Sequence, residues 1–298
     1  MKKILVIGGA GYVGSVISRR LIDDGYIVMV FDDLSVGRLA NLPMENPRLS
    51  FYEGSICDKK TLSTAMTDFQ PDTIFHMAAI HYIPQCIENP EKVIEVNVNG
   101  TQNIVSAVKT MQSRPKLIFT SSASVYGAVT PAPQCVTDIP QPCDIYGHSK
   151  MMGEHIVSSQ CDDYIIARLF NVFGDSDPTP HLIPSIVRQL DQETIELGNS
   201  DSARDFIHVE DAARAFIALA EQGVHKRIYN IGSGVSHSVS EVTQLLKVQA
   251  GSKADFVFKS SKRRKIDPKI LRANISEIKA DTGWQPAIDF AQGLKTVL

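Results

Sequence analysis

Long apolar runs are missing from this chain of 298 residues: no 18 consecutive residues are apolar, so no segment is expected to span a membrane. The opening MKKILVIGGAGYVG has a basic start, but its apolar run lasts only about five residues before glycines interrupt it, too few for a signal peptide. Cysteine is sparse: Cys57, Cys86, Cys135, Cys143 and Cys161 are scattered, odd in number, and show neither CxxC nor Cys/His ligand spacing. A disulfide framework and a metal site are therefore not expected, and free thiols point to a reducing, cytoplasmic setting. Neither charge sign is in large excess, with 30 Lys and Arg against 33 Asp and Glu, so a nucleic-acid surface is not expected. Internal repeats and low-complexity linkers are also absent. What remains is an ordinary balance, 43% hydrophobic and 21% charged, in a chain long enough for one large α/β domain or two small ones.

The first two-thirds alternates short β-rich apolar runs with helical patterns. KILVI (3–7) reads as a buried strand, helical spacing follows from Tyr12 to Asp23, and YIVMVF (26–31) is the next strand. LSFYEG, DTIFHMA and KLIFTSS continue the series. These runs are too apolar to have one wet face, so both faces of the sheet should be covered. The expected fold is α/β: a Rossmann-type, doubly wound parallel sheet with a smaller α/β lobe. Residues 1–170 are expected to form the doubly wound unit, with 205–230 returning to it, and 171–298 mainly the smaller lobe. The stretch 128–143 holds four prolines and reads as a loop.

IGGAGYVG places Gly8, Gly11 and Gly14 between a strand and a helix. Gly8 permits the tight turn, Gly11 lets backbone approach a pyrophosphate, and Gly14 lets helix and strand pack closely. The helix N-terminus then offers free N–H groups and the positive end of its dipole to an anion. Asp32 ends the second strand, 18 residues after Gly14. A carboxylate there accepts hydrogen bonds from ribose hydroxyls and repels a 2′-phosphate, which favours NAD over NADP.

CDIYGHSK (143–150) carries Tyr146 and Lys150 one helical turn apart on one face. With the glycine turn in hand, the chain resembles the extended short-chain dehydrogenase/reductase family, and within it the nucleotide-sugar epimerases and dehydratases. VIGGAGYVG and FDDLSVGR are similar to its cofactor turn and ribose-binding strand end. HMAA (76–79) and NVNGT (97–101) are similar to its cofactor wall, TSSASVYG (120–127) and YGHSK (146–150) to its catalytic motifs. RLFNVFG, RDFIHVEDAARA, YNIGSG and ADTGWQP resemble its sugar-nucleotide lobe.

The resemblance implies an NAD-dependent UDP-sugar 4-epimerase. Ser122, Tyr146 and Lys150 are implied as catalytic, and Gly8, Gly11, Tyr12, Val13, Asp32, Ser55, Ile56, Ala78, Asn97, Tyr146 and Lys150 as holding NAD. Ser122, Ser124, Asn171, Arg204, Arg264 and Asp267 are implied to hold a nucleotide-diphospho-sugar. A phenol with a pKa near 10 is a poor base at neutral pH, so the Lys150 ammonium and a positive nicotinamide ring are expected to lower that of Tyr146. Dehydrating relatives carry an Asp-Glu pair after the catalytic hydroxyl, and decarboxylating ones a Glu. Ala123 and Ser124 stand here, which favours oxidation and re-reduction at C4. A reductase or dehydratase on a related substrate is the nearest rival, and a catalytically silent NAD-sensing protein is the alternative of another class. Relatives place an Asp where Ser55 stands, leaving adenine recognition to Ser55 and the Ile56 backbone. A large Tyr in galactose-type epimerases corresponds to Leu271, leaving room for an acetamido sugar, and FGDSDPTPH lacks the Arg used for sugar carboxylates. His76 is expected to pack beneath the cofactor, His81 stands where relatives vary, and Phe206 and His208 read as structural as readily as functional. Helices around 91–111 and 145–159 are expected to pair into a homodimer.

Overall fold

The computed structural model describes residues 2–128, 131–198, 202–259 and 267–298. Its centre is a parallel sheet of seven strands: β1 (Lys3–Ile7), β2 (Ile27–Asp32), β3 (Leu49–Glu53), β4 (Thr73–His76), β5 (Lys116–Ser122), β6 (Tyr164–Leu169) and, after an excursion, β10 (Arg227–Ile231). Side chains alternate across a pleated strand, so each strand splits its apolar residues between two cores. Ile4, Val6, Val28, Val30, Ile118 and Ile165 face helices Tyr12–Asp23 and Val209–Gln222. Leu5, Ile7, Met29, Phe31, Leu117 and Ile166 face helices Lys59–Phe69, Thr101–Thr110 and Ile145–Gln160. Burial on both faces is why the strands read as continuous apolar runs. The fold is the expected doubly wound Rossmann type.

Strand order is β10-β6-β5-β4-β1-β2-β3, with β1 flanked by β2 on one side and β4 on the other. The chain steps outward from β1 to β2 and β3 and then crosses back to β4 on the other side of β1, which opens a crevice at the carboxyl ends of β1 and β4.

Beyond that edge stand β7 (Asn171–Phe173), β9 (Ala203–His208), β11 (Ser236–Ser238) and β13 (Ile270–Leu271) as a second sheet, and β8 (Thr194–Leu197) with β12 (Asp255–Phe258) as a pair. They share a core that includes Phe173, Ile186, Leu197, Phe206, Leu246 and Phe290. Between helices, Ile94–Gly100 takes a π-helical form, a local widening that often accompanies a functional site. Among the described residues, no helix is long and apolar enough to cross a membrane.

Candidate active site

A cavity of about 1560 Å³ runs along the carboxyl edge of the large sheet and under the smaller one. Its cofactor end is built by the glycine turn. Gly8 has φ +80°, and a Cβ there would lie 2.5 Å from the Ala78 nitrogen beyond β4. A Cβ on Gly14 would lie 2.2 Å from the Gly8 carbonyl oxygen, so only glycine lets the helix start so close to the strand. Gly11 caps that helix without any side-chain bond, leaving its first N–H groups facing the cavity wall. Asp32 is buried at the end of β2; its Oδ2 accepts from Ala10 N at 2.9 Å and its Oδ1 from Leu34 N at 2.9 Å. Burial pushes this carboxyl up, against the pull of those backbone donors. An uncapped helix end, a glycine cradle and a fixed carboxylate on one wall fit a dinucleotide.

Gly8, Gly11, Tyr12, Val13, Asp32, Ile56 and Ala78 all border the cavity. Ser55 and Asn97 do not lie on its wall. The Ser55 hydroxyl accepts from Cys57 N at 3.3 Å, closing a local turn. The Asn97 amide is buried and consumed within the protein: it accepts from Ile80 N at 2.8 Å and donates to Ile80 O at 2.9 Å and Ser149 Oγ at 3.0 Å. Asn97 thus ties the loop after β4 to helix Ile145–Gln160, a support for the cofactor wall rather than part of its face.

The chemical centre comes from the end of β5 and the start of that helix. Asp144 caps the helix, accepting from Gly147 N at 2.7 Å. Tyr146 and Lys150 follow on one face, and both reach the cavity, as does Ser122. The phenol of Tyr146 stands beside the Ser122 hydroxyl, whose Oγ accepts from Ser124 N at 3.1 Å. Lys150 donates from Nζ to the Thr120 carbonyl at 2.8 Å and lies 5.9 Å from the centroid of the Tyr146 ring. Burial holds the Lys150 ammonium down at about 8, opposed by Cys86 and Glu154.

The expectation for the tyrosine is reversed by the protein's own groups. Burial raises the Tyr146 phenol above its ordinary value, opposed by the neighbouring Ser122 hydroxyl, with Cys86 and Asp144 adding to the rise. Lys150, held at about 8, has already lost its proton where such a phenol would ionise, so the pair alone does not hold a phenolate.

At the far end, Ser124, Asn171, Arg204, Asp267 and Leu271 border the cavity. Arg204 and Asp267, expected to take different parts of a nucleotide, are an ion pair, and Arg204 Nη1 also donates to the carbonyls of Ala203 and Pro268, both at 2.8 Å. Asp267 therefore aims the guanidinium. Arg264 lies outside the described residues. Phe206 packs in the second core on Phe173 and Phe290, and His208 Nε2 lies 3.2 Å from Thr296 Oγ1.

His76 Nε2 lies 2.9 Å from Thr101 Oγ1, whose own proton goes to Asn97 O at 2.6 Å, so His76 is the donor. Burial drives it down to about 3, and it is neutral at working pH. His81 borders the cavity, is held down to about 4 by burial and by His181, and lies 3.4 Å from Thr179 Oγ1. Sequence reasoning missed Asp177, Thr179, His181 and Arg188 on this wall. The His181 Nδ1 to Asp177 Oδ2 contact of 3.2 Å lies inside the Pro-rich loop FGDSDPTPH, whose charged and ring-nitrogen residues were the available signal.

The model of the NAD dependent epimerase/dehydratase family matches residues 4–232. The chain belongs to that family. NAD is its cofactor. A relative described as UDP-glucose 4-epimerase from Streptomyces lividans is 31% identical, covering 96% of this chain and 92% of the relative. The solved UDP-glucose 4-epimerase of Thermotoga maritima, with UDP-glucose, superposes with a TM-score of 0.90 at 29% identity, covering 99% of this chain and 97% of that one. The Thermus thermophilus UDP-glucose 4-epimerase in complex with NAD gives 0.89 at 27%, covering 99% and 97%.

Proposed function

We propose that this family member is a nucleotide-sugar 4-epimerase acting on a UDP-hexose of the glucose or N-acetylglucosamine type. The observation that carries it is the Ser122–Tyr146–Lys150 group at the junction of the glycine-turn end and the sugar-nucleotide end of one cavity. When bound, NAD supplies a hydride acceptor and donor, and a positive ring that favours the phenolate. Ser122 holds the substrate C4 oxygen. Tyr146 removes its proton during oxidation and returns it during reduction, and the Lys150 ammonium, anchored on the Thr120 carbonyl, offsets the negative charge.

Ala123 and Ser124 follow Ser122, and neither side chain has the acidity to move protons at C5 or C6. Chemistry is thereby confined to C4. Inversion requires the oxidised sugar to turn while its diphosphate stays held, and Asn171 and the Asp267-aimed Arg204 supply the anchor. The cavity of about 1560 Å³ exceeds the roughly 300–1,000 Å³ usual for a single small ligand, which suits a dinucleotide plus a turning sugar. Leu271 on the wall leaves space for an acetamido group. The free cysteines suit a reducing, cytoplasmic setting. Helices Thr101–Thr110 and Ile145–Gln160, joined by Gln102 and Gln160 at 3.1 Å and exposing Met152, are the proposed homodimer face.

Proton NMR of the purified protein with UDP-glucose, UDP-N-acetylglucosamine and UDP-glucuronate tests the reading. The anomeric signals of the C4 epimer should grow in for one of the first two, with no stoichiometric change in NADH. Net NADH consumption, or loss of a substrate hydroxyl as water, would instead assign a reductase or a dehydratase.

A further inference from the structure

Behind the catalytic wall lies a buried ion pair that the chemistry above leaves unused. Arg168 on β6 is 2% exposed and Glu154 on helix Ile145–Gln160 is 7% exposed, and neither borders the cavity. Arg168 Nε and Nη2 donate to Glu154 Oε1 and Oε2 at 2.9 and 2.8 Å, a bidentate pairing. The Ser121 hydroxyl donates to the same Oε1 at 2.5 Å. Ser121 directly precedes Ser122, and Glu154 stands one helical turn after Lys150. The junction therefore joins the strand that carries the catalytic hydroxyl to the helix that carries the tyrosine and lysine.

The connections continue toward the substrate wall. The Arg168 guanidinium lies 4.9 Å from the centroid of the Tyr126 ring, and its Nη1 donates to the Val136 carbonyl at 3.4 Å. Tyr126 donates to Asn230 Oδ1 at 2.6 Å, and Asn230 Nδ2 donates to Gln134 O at 2.8 Å. The Gln134 side chain accepts from Arg272 N at 2.7 Å and donates to Ile270 O at 3.3 Å. Ile270 and Leu271 form β13, paired with Ala203 and Arg204 of β9.

Burying such a pair contributes little net stability, because desolvation of both charges offsets their attraction. Its value lies in geometry: a misplacement of about 1 Å in a reacting group costs on the order of a hundredfold in rate. We propose that Glu154 and Arg168 are positioning residues, a clamp that sets the spacing between Ser122 and the Tyr146–Lys150 face and ties both to the strand beside the substrate anchor. This rests on the reading of Ser122, Tyr146 and Lys150 as the catalytic group.

The test compares kcat, KM and pH profiles of the NAD-loaded enzyme and its Glu154→Gln and Ser121→Ala variants. Glu154→Gln keeps the shape and removes the charge; Ser121→Ala removes the strand-to-helix bond and leaves the ion pair. The clamp predicts kcat per folded molecule down by about tenfold or more in the first and severalfold in the second, with KM and bound NAD within about twofold. Glu154 is also one of the titratable groups facing Lys150, with Cys86 from helix Ile83–Glu88, His76 from β4, His81 from the following loop and Tyr146 beside it. Losing it should move the alkaline limb of kcat to lower pH. Lower Tm with unchanged kcat and pH limb in both variants overturns the clamp. Should Glu154→Gln fail to fold, wild-type kcat in Ser121→Ala overturns it alone. Tyr146→Phe serves as the control: activity surviving there removes the catalytic reading itself, whereas a dead Tyr146→Phe beside unaffected clamp variants removes only the clamp.

Discussion

Replacing Lys150 with Met should make the NAD-free protein more stable while abolishing its activity. The ammonium of Lys150 is buried and titrates at about 8, below the roughly 10.4 of an unfolded lysine. Between those values the unfolded chain binds more protons than the folded one, so stability rises with pH there. The cost of charging the site is thus fully present below pH 8 and fades as pH climbs toward the unfolded value. At pH 7 a shift of this size amounts to about 3 kcal/mol. A methionine of similar length avoids that cost but leaves the Thr120 carbonyl without its donor at 2.8 Å, a loss of about 1 kcal/mol. The net is about 2 kcal/mol in favour of the variant, or about 3 °C in Tm for a chain of this size. Thermal unfolding of both proteins at pH 7 and pH 10 reads the effect. The variant should melt higher at pH 7, and the gap should close by pH 10. A variant less stable than wild type at pH 7, or a gap unchanged with pH, would refute the electrostatic account of the site.

Tyr146→Phe keeps the ring and removes the proton carrier, so kcat should fall by about 10²–10⁴ with KM for the sugar nucleotide little changed, as steady-state kinetics would show. Gly14→Ala places a Cβ 2.2 Å from the Gly8 oxygen, which forces the turn open. That variant should lose about 1–3 kcal/mol of stability and most of its bound NAD, checked by melting and by nucleotide release on denaturation. Retention of NAD at wild-type level would show that the turn tolerates the shift.

Features local in the chain were readable before the fold was known. The glycine turn and Asp32 sit on consecutive elements of one strand–helix–strand unit, and Tyr146 and Lys150 on one helical turn, so spacing brought each group together while the family resemblance supplied the catalytic role of the pair. Features made by chain closure were not. Arg204 and Asp267 pair across 63 positions, and roles inferred separately for each gave no hint of it. Ser55 and Asn97 have the right location, but the orientation of a short side chain depends on neighbours such as Cys57 N, Ile80 and Ser149. The direction of the Tyr146 shift depends on burial, which no motif encodes. Nothing local marks Arg168 and Glu154, which lie 14 positions apart on a strand and a helix, as a pair that the fold buries together.

The proposed reaction is transient oxidation at C4 with return of the same hydride to the same sugar. Incubating the enzyme with an equal mixture of C4-deuterated and unlabelled substrate, then locating the label by NMR and mass spectrometry, measures this directly. Each epimerised sugar should keep its own label at C4. Deuterium lost to water, or scrambled onto initially unlabelled sugar, would contradict it.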